Sequence, residues 1–173
     1  MTAVKSGLMI IDQHRAHMRV LYDEYRRQMT EKSGNSQKLL FPEMIQLSPS
    51  DAIILQKILP DMTSLGFELS DLGGGSYAVG GIPTGLEGLN GVALVNDIVA
   101  LAAENTISVD EEINHTVALG VARDAAIPYG QVLGNREMEN LVNELFASSD
   151  VNHSPDGKTI IAILSQTEID HLF

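Results

Sequence analysis

Ser6-Gly7-Leu8-Met9-Ile10-Ile11-Asp12-Gln13-His14-Arg15-Ala16-His17 is the stretch on which the fold turns. Leu8 to Ile11 is a continuous apolar run closed by Asp12, which suits a buried strand. The period then changes. Met18, Leu21, Tyr22, Tyr25 and Met29 fall on one face of a helix. At the far end of the chain, Thr159 to Leu164 is a second apolar strand, and Ser165 with Glu168 is spaced to cap a short final helix. The first and last strands are apolar enough to share one sheet. The chain then reads as α/β (α+β) and two-lobed. Both chain ends (1–36 and 109–173) build one lobe, and a smaller α/β lobe (37–108) is inserted between them.

The middle section supports that division. Thr30 to Ser36, with Gly34 and Asn35, is a polar break and the expected hinge, and Leu39 to Leu47 reads as extended. Ser48-Pro49-Ser50-Asp51 opens a helix that carries Ile54, Leu55, Ile58 and Leu59 and stops between Pro60 and Gly66. Phe67 to Leu69 and Tyr77 to Val79 flank Gly73-Gly74-Gly75 as a hairpin-like pair. Helices follow over Val92 to Ala103, from a Ser108/Glu111 capping pair to about Ala126, and from Asn135 with Met138, Leu141, Val142, Leu145 and Phe146 on one stripe. Asn152 to Gly157 reads as a turn. Neither an internal repeat nor a low-complexity segment interrupts this order.

Composition narrows the function. The chain has 173 residues, 44% hydrophobic and 20% charged, which is an ordinary globular balance. It has no Cys, so disulfides, thiol nucleophiles and thiolate metal sites are excluded. Its net charge of −12 repels a phosphate backbone, and 5% aromatics without Trp give little for bases to stack on. The charge is uneven: residues 1–38 carry +3 and the remainder −15. A solvated helix face explains that basic third more simply than an anionic partner does. No apolar run nears the ~20 residues of a membrane span, and no signal-peptide pattern opens the chain. The expected location is cytoplasmic.

The densest polar cluster is Asp12 to His17, directly after a strand, where α/β folds often build sites. An Asp and two His can ligate a metal; the plainer reading is that they cap the helix and bond locally. Gly73-Gly74-Gly75 lacks the Lys-Ser/Thr of a phosphate loop. A small-molecule pocket at the Gly73 to Gly81 loops is the third option. No Gly-x-Ser-x-Gly elbow is present for acyl chemistry.

Ser6 to His14 followed by Ala16-His17 resembles the opening motif of the C-terminal domain of the DNA mismatch repair protein family MutL. The similarity runs through Gln37-Lys38-Leu39-Leu40-Phe41-Pro42 with Leu47-Ser48-Pro49, Val121-Ala122-Arg123 and Ser154-Pro155-Asp156-Gly157-Lys158-Thr159-Ile160-Ile161. The resemblance implies a two-lobed domain that forms a homodimer, downstream of a separate ATPase domain that this chain lacks. It also implies work alongside other mismatch repair proteins, with DNA met only weakly or through the longer protein. Gln37, Leu39, Leu40, Phe41 and Pro42 resemble the family's Gln-x-Leu-x-x-Pro contact with the replication sliding clamp.

Many family members nick DNA at this domain with Zn or Mn, and the departures here bear on that alternative. Their first motif reads Asp-Gln-His-Ala-x-x-Glu-x-x-x-x-Glu; this chain has Arg15 for the Ala, Met18 for the first Glu and Asp23 for the second. Ala122 stands at a family Cys, and Ser154 and Asp156 stand at a Cys and a His. A thioether, a methyl and a hydroxyl do not replace a carboxylate and two thiolates as ligands. Asp12, His14, His17 and Asp23, with Asp156, remain as the residual candidates for that chemistry. The expectation is a non-catalytic module with no cofactor.

Overall fold

The computed structural model describes residues 2–4, 7–86, 88–104 and 110–172. In chain order the elements are β1 (Thr2–Val4), β2 (Gly7–Ile11), α1 (Gln13–Glu31), β3 (Ser36–Gln46), α2 (Pro49–Leu65) and β4 (Glu68–Gly73). There follow β5 (Ser76–Pro83), α3 (Gly91–Glu104), α4 (Asp110–Ala125), α5 (Asn135–Phe146), β6 (Ile161–Ser165) and α6 (Gln166–Asp170). The mixed α/β class agrees with the reading of the sequence. Two compact units divide the chain, 1–23 with 126–173 and 24–125. The first passage between them lies within α1 rather than at 36/37. Position 108/109 lies outside the described residues, as does the Ser108/Glu111 capping pair. α4 groups with the second unit because it packs on α3 and α2.

The first unit holds the two terminal strands in one antiparallel sheet, ordered β1-β2-β6, with Ile11 opposite Ile161 and Met9 opposite Ile163. β1, which the sequence reading left out, pairs on the other side of β2. A buried cluster of Ala16, Leu141, Leu145 and Ile160 forms the core, with Ile11, Ile127, Val151 and Ile161 packed against it. β2 departs from expectation: none of its five residues is fully buried. Its apolar run has the composition of a doubly covered strand, yet this unit covers it only by half.

The second unit packs α2, α3 and α4 together and onto the sheet β3-β5-β4. Leu55, Ile58, Met62 and Leu65 of α2 are buried, as are Leu94, Val95, Ile98 and Val99 of α3 and Tyr77 and Val79 of β5. Ser48 caps α2 by accepting the Asp51 N–H at 3.2 Å. Pro60 is carried inside that helix, which ends at Gly66, whose φ of 108° is open to a residue without a Cβ. The triple glycine is the β4–β5 turn, with φ of 86°, 63° and 80°, so its role is conformational. α5 begins one residue earlier than the Asn135 cap predicts. Gly134 is its N-cap, and the Glu137 carboxylate accepts the Gly134 N–H at 2.6 Å.

Candidate functional site

Three places hold the residues singled out by the sequence. The first is the junction of β2 and α1. Asp12 is the cap of α1: its Oδ1 accepts the Arg15 N–H at 3.0 Å, and its own N–H donates to Ile160 O at 2.9 Å. Its Oδ2 lies 3.3 Å from Arg15 Nε, and Arg15 Nη1 donates to Thr159 O at 2.7 Å. Arg15 thus brings a fixed organic cation to the carboxylate.

The two histidines hold the two backbone groups of one residue, Ile127. His14 Nδ1 donates to Ile127 O at 2.8 Å and its ring lies 4.4 Å from that of Tyr129. His17 Nδ1 accepts the Ile127 N–H at 3.0 Å. A neutral ring that accepts at Nδ1 carries its proton on Nε2, so His17 is a donor at its other nitrogen. Burial lowers the His17 pKa below 6.5; Glu144 raises it and His14 lowers it further.

Asp23 is turned to structure as well. It accepts Ser149 N–H at 2.6 Å and Ser149 Oγ–H at 2.9 Å, and Arg19 Nη1 lies 3.4 Å away. Arg19, almost fully buried, also donates from Nε to His153 O at 3.0 Å. Met18 is 2% exposed and sits in the core. Ser154 Oγ donates to Asp156 Oδ1 at 2.5 Å and accepts the Lys158 N–H at 3.0 Å, which closes a turn. Ala122 is buried in α4 of the other unit.

A divalent metal does not fit this donor set. Both Asp12 oxygens face Arg15, the Asp23 oxygens face Ser149 and Arg19, and His17 spends its Nδ1 lone pair on the Ile127 N–H. Among the described residues no three His, Asp or Glu side chains gather as a metal-holding group. The nicking alternative is therefore not favoured.

The second place is the interruption of β3. Lys38 lies opposite Gly81 and Glu43 opposite Val79, so Leu39 to Pro42 bulge out against the single residue Gly80. Leu40 and Phe41 are 93% and 83% exposed, and Met44 beside them is exposed too. Leu39 is half-buried over Gly91, and Gln37 is exposed and in the ladder opposite Ile82. Leu39, read together with Gln37 as an outward anchor, is thus turned inward, while its two neighbours project. Pro42 sits in the bulge, where a missing N–H costs no ladder bond.

The third place lies on the sheet shared by the two chain ends and on the neighbouring helix α5. A groove of about 650 Å³ in the first unit has Met9, Ile11, Leu141 and Val142 among its lining, with Met138 and Phe146 beside them. Phe146 is 55% exposed, although it belongs to the apolar stripe of α5. The stripe was legible; that it exceeds what its own unit covers was not.

Residues 2–133 match the family model described as the MutL C terminal dimerisation domain. Along its whole length the chain is 54% identical to the DNA mismatch repair protein MutL of Bacteroides fragilis and 50% identical to that of Phocaeicola vulgatus. It is 34% identical over 172 residues to the MutL of Porphyromonas gingivalis. The chain spans 28% of the length of these curated relatives. No described helix is long and apolar enough to cross a membrane.

Proposed function

From the premise that the chain belongs to the MutL C-terminal dimerisation family, we propose that it joins two mismatch repair protomers through its first unit and offers the β3 bulge to the replication sliding clamp. The observation that carries the first part is β2. Its five residues are apolar apart from Gly7, yet all stay half-exposed, next to a groove edged by exposed Met138 and Phe146. Apolar surface left at a sheet and an adjoining helix is what a homodimer covers, since such interfaces resemble a domain core cut in half. A patch used by both copies around a two-fold axis closes on itself.

The clamp part rests on the β3 bulge. Two large apolar side chains, Leu40 and Phe41, stand almost fully in solvent on a segment freed from its ladder, with Pro42 stiffening the exit. An extended segment of this kind suits an apolar groove, with Gln37 supplying polar contacts. The inward Leu39 moves the expected anchors to Leu40 and Phe41. In a pull-down with purified sliding clamp, Leu40→Ala with Phe41→Ala is expected to remove binding with the melting temperature unchanged; unaltered binding would falsify the assignment. Other mismatch repair proteins, and DNA through the longer protein, are the remaining partners of this reading. The donor set at Asp12, His14, His17 and Asp23 supports a non-catalytic, cofactor-free role for the domain.

A further inference from the structure

β6 is an edge strand with an unusual lack of protection. It pairs with β2 on one side, and no described strand pairs with it on the other. Natural edge strands are commonly blunted by charge, Pro or bulges; Ile161-Ala162-Ile163-Leu164-Ser165 has none of these. Ile163 is 52% exposed and Ala162 is exposed.

The ladder dictates which groups face outward. Asp12 N–H donates to Ile160 O, with Ile11 opposite Ile161 and Ile10 opposite Ala162. Hydrogen bonding alternates along an antiparallel pair. Ala162 and Leu164 therefore turn their N–H and C=O toward β2, and Ile161 and Ile163 turn theirs to the free edge. Before β6 the free edge is not occupied by the preceding hairpin: Ile160 turns both groups to the β2 side, its C=O to Asp12 and its N–H to Asn152 O at 2.7 Å, where His153 bridges Thr159. After it, the Ser165 N–H is held by Glu168 at 2.8 Å and the Ser165 carbonyl, at the N-cap of α6, accepts that helix's first bond, so Ile161 and Ile163 carry the outward groups that are open.

We infer that β6 pairs antiparallel with β6 of a second copy, about a two-fold axis at Ala162, to make one continuous sheet across the dimer. In this register Ile161 of each copy exchanges both backbone hydrogen bonds with Ile163 of the other, four bonds in all. Small Ala162 meets its own symmetry mate on the axis. A register centred on Ile163 makes only two such bonds, because its outer pair needs the Ser165 N–H and C=O that Glu168 and α6 already hold. The pairing also sets Ile161 and Ile163 of both copies side by side on one face. This inference rests on the dimerisation reading and names its mode.

The chain has no Cys, so single cysteines report the axis cleanly. Non-hydrogen-bonded antiparallel partners sit about 4.5 Å apart at Cα, within the roughly 4.4–6.8 Å that a disulfide spans. Under mild copper-phenanthroline oxidation, Ala162→Cys is expected to give a covalent dimer on non-reducing gels. Ile163→Cys, two residues out of register with its own mate, should not. Ile163→Pro removes an outward N–H and leaves the bonds to β2 intact; it is expected to sediment as a monomer with an unchanged circular dichroism spectrum. Wild-type chain that sediments as a dimer while Ala162→Cys fails to cross-link, or cross-links no better than Ile163→Cys, overturns the edge pairing and leaves dimerisation standing. So does an Ile163→Pro variant that remains dimeric. Wild-type chain that stays monomeric when concentrated overturns both.

Discussion

Ile127 shows how much one residue organises. Its carbonyl accepts from His14 and its N–H donates to His17, so Ile127 is pinned to α1 by two rings, one donating and one accepting at Nδ1. The His17 end is sensitive to acid. Burial, the leading cause, lowers its pKa below 6.5, and protonation would set an N–H against the Ile127 N–H. The unfolded chain then binds more protons than the native one, so stability is full above about 6.5 and declines as pH falls through the lowered value. Urea titrations from about pH 7.5 to 5 are expected to show a falling midpoint, and His17→Gln should flatten that slope. An equal slope in the variant would assign the acid sensitivity elsewhere. A sequence shows two histidines three residues apart; that one donates and the other accepts depends on a residue 110 positions away.

At the scale of elements, local chemistry decides boundaries and remote packing decides exposure. Ser48, Pro49 and Asp51 start α2, and Ser165 with Glu168 starts α6, because caps need atoms within four residues of each other. Ser48→Ala is expected to lower stability by about 1 kcal/mol, read as a lower melting temperature at an unchanged helix content. The strands behave otherwise. The apolar run of β2 and the stripe of α5 were both readable as elements, but Met138 and Phe146 end up in solvent while Leu141 and Leu145 are buried. Period says which residues share a face, not how much of that face its own unit covers. The β3 bulge escapes prediction for a related reason. Leu39 to Phe41 look like uninterrupted strand, and only the partner strand, with Gly80 alone opposite four residues, expels them from the ladder. β1 is short enough that no periodicity could mark it.

For the whole molecule the balance lies between apolar burial and charge. Each copy carries −12, so two copies repel, and the half-covered sheet and groove must outweigh that repulsion. Salt screens the charges with a Debye length of about 10 Å at 0.1 M and about 3 Å at 1 M. Sedimentation equilibrium is expected to show a tighter dimer as sodium chloride rises over that range. Weakening with salt would mean that ion pairs, rather than apolar surface, hold the copies together.

Much of this protein was determined by the sequence alone. The α/β class, the sharing of one sheet by both chain ends, the caps of α2 and α6, the missing thiolates and the misfit residues Arg15 and Met18 all follow from residue chemistry and short-range spacing. The tertiary structure decided the rest: the donor and acceptor roles of His14 and His17, the inward turn of Leu39 with the outward Leu40 and Phe41, the half-covered β2, and the bare edge of β6. Those properties belong to surfaces made by residues distant in the chain, and burial is settled only once both sides of a surface are in place.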